Sequence, residues 1–146
     1  MYYGALEAGG TKMVCAIGDA DKNIIDRISI PTGTPEQSVP AMIDYFKKYD
    51  ISALGIGTFG PADINPNSPT YGSIMRSPKK DWEGFSLYKA FTEALGCLVV
   101  VDTDVNAAAW GEYLYGALKG LNSGMYLTVG TGIGGGIISD GRLIHG

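Results

Sequence analysis

The segment "YYGALEAGGTKMVCAIG", residues 2–18, decides the fold, because it places two apolar stretches on either side of a glycine turn. Residues 2–6 and 13–17 are predicted to form β-strands, and residues 23–30 are predicted to form a third. The polar sequence "GDADKN" (18–23) is typical of the turn that joins the second strand to the third. Three consecutive strands with short connections predict an antiparallel meander.

The rest of the chain alternates helices and strands. Thr34 followed by Pro35 is typical of a helix start, and apolar residues recur there at three- and four-residue steps. The predicted elements are helices at 34–50, 85–95 and 105–118, strands at 52–61 and 97–101, and an irregular proline-containing segment at 62–82. Residues 125–146 repeat the strand–glycine turn–strand pattern and begin another strand. The βββαβα order predicts an α/β fold with a mixed sheet. The repeated pattern suggests a second copy of this architecture, so the expected domains are 1–120 and 121–146.

The composition argues against several classes of function. With 146 residues and 45 % hydrophobic content, the chain has enough apolar material for a packed core. Its net charge is −4 and no basic cluster exceeds the pair Lys79–Lys80, which argues against nucleic-acid binding. Because it shows neither a membrane-length apolar run nor an N-terminal leader, a cytoplasmic protein without a membrane partner is expected. Cys15 and Cys97 are expected to be buried thiols rather than a disulfide.

Two glycine turns are candidate anion sites. In "EAGGTK" (7–12), successive amides can form an anion-binding nest and the Thr11 hydroxyl adds a donor, although an ordinary hairpin turn has the same pattern. The second, "TVGTGIGGG" (128–136), contains the spacing of a dinucleotide-binding fingerprint, but Ile137 and Ile138 continue a strand where that fingerprint requires a helix. This second turn is therefore predicted to be either a phosphate-cradling hairpin or a purely structural one.

The segment "VVVDTDVNAAAWGE" (99–112) places two acids where a buried strand meets a helix. Asp104 suits the N-cap of that helix. A carboxylate at the carboxyl end of a strand can also accept a proton from a hydroxyl, and the helix dipole stabilises its charged form. The residues alone leave cap and general base as compatible roles. The small residues that follow allow a ligand or a neighbouring helix to approach closely.

Two phosphate-type hairpins and a strand-end carboxylate together suggest phosphoryl transfer, which depends on positioning, charge stabilisation and a base. In this combination and order, the chain resembles the ROK family of sugar kinases, within the actin-like ATPase superfamily, and most closely its bacterial fructokinase branch. The matching motifs are "EAGGTK" (7–12), "GIGTFGPAD" (55–63), "YGSI" with "SPKKDW" (71–82), "DTDVNAAAWGE" (102–112), "TVGTGIGGG" (128–136) and "DGRLIHG" (140–146). The resemblance implies the actin-like ATPase (ribonuclease H-like) fold, with residues 121–146 as the first hairpin of a second, similar domain.

The resemblance also implies a role for each motif. Asp104 would be the general base that takes the proton from a sugar hydroxyl. The residues around the ATP phosphates would be Gly9, Gly10, Thr11, Lys12, Gly130, Thr131 and Gly132. The sugar pocket would include Gly60, Pro61, Thr103, Asn106 and Glu112. Trp82 would either wall this pocket or belong to the core. Glu7 would engage Mg²⁺ where the family usually carries Asp, and Thr103 stands where the family commonly has Asn.

The family resemblance also bears on the length of the chain. Because ROK kinases are roughly twice as long, the parent protein is expected to be a homodimeric, ATP- and Mg²⁺-dependent fructokinase with a zinc motif in its C-terminal half. The chain alone is expected to be inactive, because the ATP cleft needs both domains. The alternatives are a non-catalytic sugar- or nucleotide-binding fragment and a sugar-sensing ROK regulator, which would carry a helix-turn-helix domain ahead of the first strand.

Overall fold

A computed structural model describes residues 1–130 and 132–145 of the chain. The chain forms two compact units, of which the first is Met1–Thr103 and the second begins at Asp104. The division into domains at residue 120 stays a prediction. No helix in the described ranges has both the length and the apolar character needed to cross a bilayer.

The first unit is a five-stranded mixed sheet with two helices. Its elements are β1 (Tyr2–Ala8), β2 (Lys12–Asp19), β3 (Ile24–Pro31), α1 (Pro35–Phe46), β4 (Ile51–Thr58), a 3-10 turn (Lys80–Trp82), α2 (Leu87–Leu95) and β5 (Leu98–Thr103). The strand order is β3-β2-β1-β4-β5, in which β1–β2 and β2–β3 are antiparallel while β4 and β5 run parallel to β1. The predicted meander, the mixed sheet and the βββαβα order are confirmed.

The hydrophobic core of this unit joins the sheet to α1 and α2. Leu6, Ile56 and Val101 lie in one row across β1, β4 and β5 and are all buried. Phe46 of α1 and Phe91 of α2 meet edge to face, with ring centroids 6.1 Å apart. The helices therefore cover the face of the sheet that carries this row.

Several predicted boundaries were wrong by a few residues. The helix predicted to reach residue 50 begins as expected, with Gln37 Oε1 accepting the Thr34 N–H at 3.1 Å, but ends at Phe46 because the chain then closes in turns. The strand predicted to reach residue 61 ends at Thr58. The second helix begins at Leu87 rather than 85, because Ser86 caps it by accepting the N–H of Lys89. The following strand runs from Leu98 to Thr103, which is two residues beyond its predicted end.

The segment 62–82 contains only the short 3-10 turn and two isolated β-bridges, as predicted for an irregular segment. It is nevertheless held firmly to the core. Ile74 and Trp82 are both 1 % exposed. The Trp82 indole donates to the Gly33 carbonyl at 2.9 Å, and its ring packs edge to face against Phe59 and Phe85. Of the two roles considered for Trp82, the structure shows the core role.

The second unit is a helix packed on a three-stranded antiparallel sheet. Its elements are α3 (Asp104–Tyr115), β6 (Gly124–Val129), β7 (Ile133–Ser139) and β8 (Arg142–Leu143). The predicted hairpin is confirmed, while the helix predicted at 105–118 begins and ends earlier. At Gly136 a side chain would collide with the Val105 carbonyl and with Ala109. The small residues of α3 thus allow close packing against β7.

Candidate functional site

The turn between β1 and β2 is tightly constrained. The Gly9 N–H donates to the Lys12 carbonyl at 3.0 Å, and a Cβ at Gly9 would lie only 2.6 Å from that oxygen, so the position needs glycine. Directly after β3, the Thr32 hydroxyl donates to the Gly9 carbonyl at 2.8 Å and the Thr32 N–H donates to the Thr11 carbonyl at 3.0 Å. The Gly9 and Thr11 carbonyls are thereby hydrogen-bonded within the first unit, and these bonds hold the turn in place. Such a fixed glycine turn can present backbone N–H groups to an anion.

The carboxyl ends of the three parallel strands lie side by side. Ala8, Thr58 and Thr103 are in register across β1, β4 and β5. After β4 the chain crosses back toward β1, because the Phe59 N–H donates to the Ala8 carbonyl at 2.8 Å, and it then passes through the cis Gly60–Pro61 bond. The sheet therefore brings Gly60, Pro61 and Thr103 to the same end of the sheet as the β1–β2 turn, which is the carboxyl end of the parallel strands. This edge is where ligands bind in open α/β sheets.

One row before these ends, two carboxylates share the face of the sheet opposite the helices. Glu7, Gly57 and Asp102 are in register, and Gly57 places no side chain between the acids. Strands are about 4.8 Å apart, so the backbones of the two acids stand roughly 10 Å from each other. Asp102 Oδ1 accepts the Thr103 N–H at 2.7 Å, which restrains its orientation.

Oxygen donors at this spacing fit a hydrated Mg²⁺, which takes one or two carboxylates and completes its octahedron with water and phosphate oxygens. Among the described residues, no three His, Cys, Asp or Glu side chains form a cluster that could hold a metal by themselves. Glu7 and Asp102 could therefore contribute to a magnesium site only together with water and a phosphorylated ligand.

In the second unit, Asp104 is the first residue of α3 and is half-buried. Its Oδ1 accepts the N–H of Val105 at 2.9 Å. Asn106, two residues further on, is 6 % exposed. Asp104 thus belongs to α3 itself instead of preceding it as the predicted N-cap, and its role as general base stays a prediction.

Glu112 lies at the opposite end of the same helix, about 12 Å along the axis from Asp104. Its Oε2 accepts the Ala117 N–H at 2.7 Å, so its carboxylate stabilises the turn that ends α3. In the hairpin between β6 and β7, the Gly130 N–H donates to the Gly132 carbonyl at 2.9 Å. Thr131 lies outside the described residues. The roles predicted for these residues stay predictions.

Two residues of the first unit were not singled out from the sequence. The Lys79 side chain reaches the β1–β2 turn, and the Tyr71 hydroxyl binds the backbone of Val101 in β5. Both contacts join residues far apart in the sequence, and only the motif "SPKKDW" pointed to the neighbourhood of Lys79. A cavity of about 410 Å³ contains none of the predicted site residues; it is lined by Pro66, Ser68, Pro69, Tyr71, Tyr88, Lys89, Val99 and Val100.

Comparisons with known proteins agree with this architecture. The ROK family profile matches residues 3–146. The chain is similar to a fructokinase of Lactococcus lactis subsp. cremoris, with 47 % identity over 100 % of this chain and 49 % of that protein. A fructokinase of Pediococcus pentosaceus is 43 % identical over 100 % of this chain and 51 % of its own length. The crystal structure of a ROK family glucokinase from Streptomyces griseus, in complex with glucose and AMPPNP, has a TM-score of 0.85 and 32 % identity, covering 100 % of this chain and 47 % of that one.

The chain spans about half the length of the curated relatives it matches. Its structural likeness to the Streptomyces griseus protein extends over the whole of this chain. The predicted actin-like ATPase fold, with its mixed sheet, is therefore confirmed.

Proposed function

The chain belongs to the ROK family, and on that premise we propose that it forms half of a hexose kinase. The reaction is transfer of the γ-phosphoryl group of ATP to a hexose hydroxyl, with fructose as substrate and fructose 6-phosphate as product. The observation that supports this proposal most strongly is the edge of the sheet in the first unit. There the constrained β1–β2 turn lies beside the ends of β4 and β5, and the chain continues directly into Asp104.

Asp104 acts as the general base in this proposal. Its carboxylate accepts the proton of the attacking hydroxyl while the sugar oxygen forms its bond to phosphorus and the bond to ADP breaks. Asp104 is the first residue of α3 and directly follows the end of β5. The Val105 N–H, which donates to Oδ1, restrains the side chain and leaves Oδ2 for the substrate.

The phosphates are held by the glycine turns. The N–H groups of Gly10 and Thr11, the Thr11 hydroxyl and the Lys12 ammonium supply donors from the first unit, while Gly130, Thr131 and Gly132 supply those of the second. Glu7 and Asp102 would hold Mg²⁺ through water, and the metal would neutralise charge on the transferred phosphoryl group. Gly60, Pro61, Thr103, Asn106 and Glu112 would shape the sugar pocket.

Fructose is proposed ahead of glucose because both fructokinases compared are more similar in sequence than the Streptomyces griseus glucokinase. Hexoses differ mainly in the orientation of hydroxyl groups, and a site selects among them through a few hydrogen bonds. The chain covers half of its relatives, so the proposal concerns a protein of the relatives' length. In that protein we expect a homodimer, and we expect residues 1–146 alone to be inactive.

The experiment is a coupled assay of ADP release with fructose, glucose and mannose. It is carried out on the 146-residue chain and on a longer protein, of the relatives' length, that contains these residues. In the longer form, Asp104→Asn should lower kcat by about two to four orders of magnitude while leaving sugar binding nearly unchanged. Asp140→Asn is the matched control, because Asp140 is exposed in the turn after β7 and has a φ of 49°, which Asn tolerates. Near-normal turnover by the Asp104 variant would refute the assignment of the base.

A second candidate function is sugar or nucleotide binding without catalysis. The half-length match to the relatives favours it for the chain by itself. Calorimetric titration with fructose and with ATP separates the two candidates, because a binding module retains saturable binding while no ADP is released.

A further inference from the structure

We propose that Lys79 is a phosphate-binding residue that covers the β1–β2 turn and contacts the polyphosphate chain of a nucleoside triphosphate. This inference rests on the proposed function, in which that turn holds phosphate. If a Cβ is built on Gly10, Lys79 Cε lies 3.8 Å from it and is the only atom from elsewhere in the described chain within 4 Å. The space over Gly10 is therefore open except on the side where the lysine approaches.

The backbone of Lys79 is fixed by buried neighbours. Its N–H donates to the Ser77 hydroxyl at 3.2 Å, and its carbonyl accepts the Trp82 N–H at 3.0 Å. Ser77 and Trp82 are 3 % and 1 % exposed, and the Trp82 indole is bound in turn to Gly33. The lysine thus extends from a rigid base, and only its flexible side chain needs to be ordered by a ligand.

The charge of Lys79 is not used by a carboxylate in the described ranges. The one salt bridge found there joins the next residue, Lys80, to Glu83 at 3.1 Å. Two adjacent lysines therefore differ in their surroundings: Lys80 is paired on the outer surface, while the side chain of Lys79 lies over the turn. This difference makes Lys80 a matched control.

An ammonium at this position complements the donors of the turn. Backbone N–H groups approach an anion from a fixed direction, whereas a lysine acts as a mobile point charge that follows the oxygen atoms of a phosphate. Lys12 is the first residue of β2 and directly follows the turn, whereas Lys79 approaches the turn from the separate segment 62–82. A triphosphate bound at Gly10 would therefore be contacted by cations from two parts of the chain.

The test is calorimetric binding of inorganic tripolyphosphate and of MgATP to the 146-residue chain and to its Lys79→Ala, Lys79→Arg and Lys80→Ala variants. We expect Lys79→Ala to weaken binding of both anions by about tenfold, the loss of one charge-assisted hydrogen bond. Lys79→Arg should retain most of the affinity, and Lys80→Ala should bind within about twofold of the unaltered chain. Because Lys79 and Lys80 are both exposed, and an exposed pair such as Lys80–Glu83 contributes little to stability, urea midpoints should be nearly equal for all four proteins.

The inference is overturned if Lys79→Ala binds tripolyphosphate as tightly as Lys80→Ala, or if the unaltered chain binds no tripolyphosphate. Its failure can be distinguished from failure of the proposed function. Suppose that a protein of the relatives' length phosphorylates no hexose, while Lys79→Ala still selectively weakens tripolyphosphate binding. The proposed kinase function would then be wrong, and the phosphate-binding role of Lys79 would be supported. If hexose turnover depends on Asp104 but not on Lys79, and Lys79→Ala leaves tripolyphosphate affinity unchanged, the kinase function is supported and the role proposed for Lys79 is wrong.

Discussion

The Tyr71 hydroxyl makes two hydrogen bonds to the backbone of Val101. It accepts the Val101 N–H at 2.8 Å and donates to the Val101 carbonyl at 2.9 Å. β5 is the outermost strand of its sheet, so this side chain occupies hydrogen-bonding positions that a neighbouring strand would otherwise fill. The contact lies two residues before Thr103, which ends β5, and it therefore helps fix the strand that leads to Asp104.

Replacing Tyr71 by Phe should destabilise the chain by about 1–3 kcal/mol, because the Val101 N–H and carbonyl both lose a partner in a partly buried place. Urea unfolding followed by fluorescence measures the difference. The control is Tyr88→Phe, since the Tyr88 ring packs against Tyr71 at 5.0 Å and no hydrogen bond of its hydroxyl is found in the described ranges. Equal losses in the two variants would show that the double hydrogen bond adds nothing to ring packing.

The elements of the fold could be predicted because their signals are local. Thr34 and Pro35 start α1 where expected, and both glycine hairpins form between strands. The exact ends of the helices and strands were harder to predict. α1 was predicted to run four residues too far, because Lys47 and Lys48 favour a helix end as well as a helix, and the turn that follows is set by tertiary packing. Element type thus followed from pattern, while several ends depended on contacts.

The candidate site divides in the same way. Its glycine turn and strand-end acids stand in short motifs, and the sheet register then places Glu7 and Asp102 in one row. Lys79 and Tyr71 also stand in motifs, but those motifs do not indicate their contacts, because their partners Gly10 and Val101 are distant in the sequence and only the packed segment 62–82 brings them close. Contacts of this kind require three-dimensional information.

Asp63 organises the first part of that segment. Its Oδ2 accepts the hydroxyls of Ser68 and Thr70, and its Oδ1 accepts the Asn65 N–H at 3.1 Å. The hydrogen bonds from Ser68 and Thr70, and then that from Asn65, lower the pKa of the Asp63 carboxyl in the folded chain. A group with a lowered pKa stabilises the fold above its unfolded pKa, and this contribution disappears as the pH falls through the folded value.

We therefore expect Asp63→Asn to be less stable than the unaltered chain at pH 7, because an amide has only one acceptor oxygen and cannot accept both the two hydroxyls and the Asn65 N–H. The difference in urea midpoint should shrink below about pH 4, where the carboxyl of the unfolded and then of the folded chain takes up a proton. Asp44→Asn on the exposed side of α1 is the control, and its midpoint difference should not follow this course. A difference for Asp63→Asn that is constant from pH 7 to pH 3 would contradict the role assigned to the carboxylate.

The magnesium role proposed for Glu7 can be tested separately from catalysis. Glu7 is exposed on the face of the sheet opposite the core, in register with Gly57 and Asp102. If its carboxylate orients water bound to Mg²⁺, Glu7→Gln removes the charge but keeps the size and one acceptor oxygen. Loss of such an outer partner lowers metal affinity by about 10–100-fold.

We expect Glu7→Gln to raise by about tenfold the Mg²⁺ concentration that gives half-maximal strengthening of ATP binding, measured by calorimetry at fixed ATP. Binding of ATP without Mg²⁺ should become slightly tighter, because one negative charge near the phosphate turn is gone. Glu93→Gln, an exposed acid on α2, should change neither quantity. If Glu7→Gln instead weakens ATP binding equally with and without Mg²⁺, the carboxylate acts on the turn itself and not on the metal, because only a metal-dependent role can vanish when the metal is withheld.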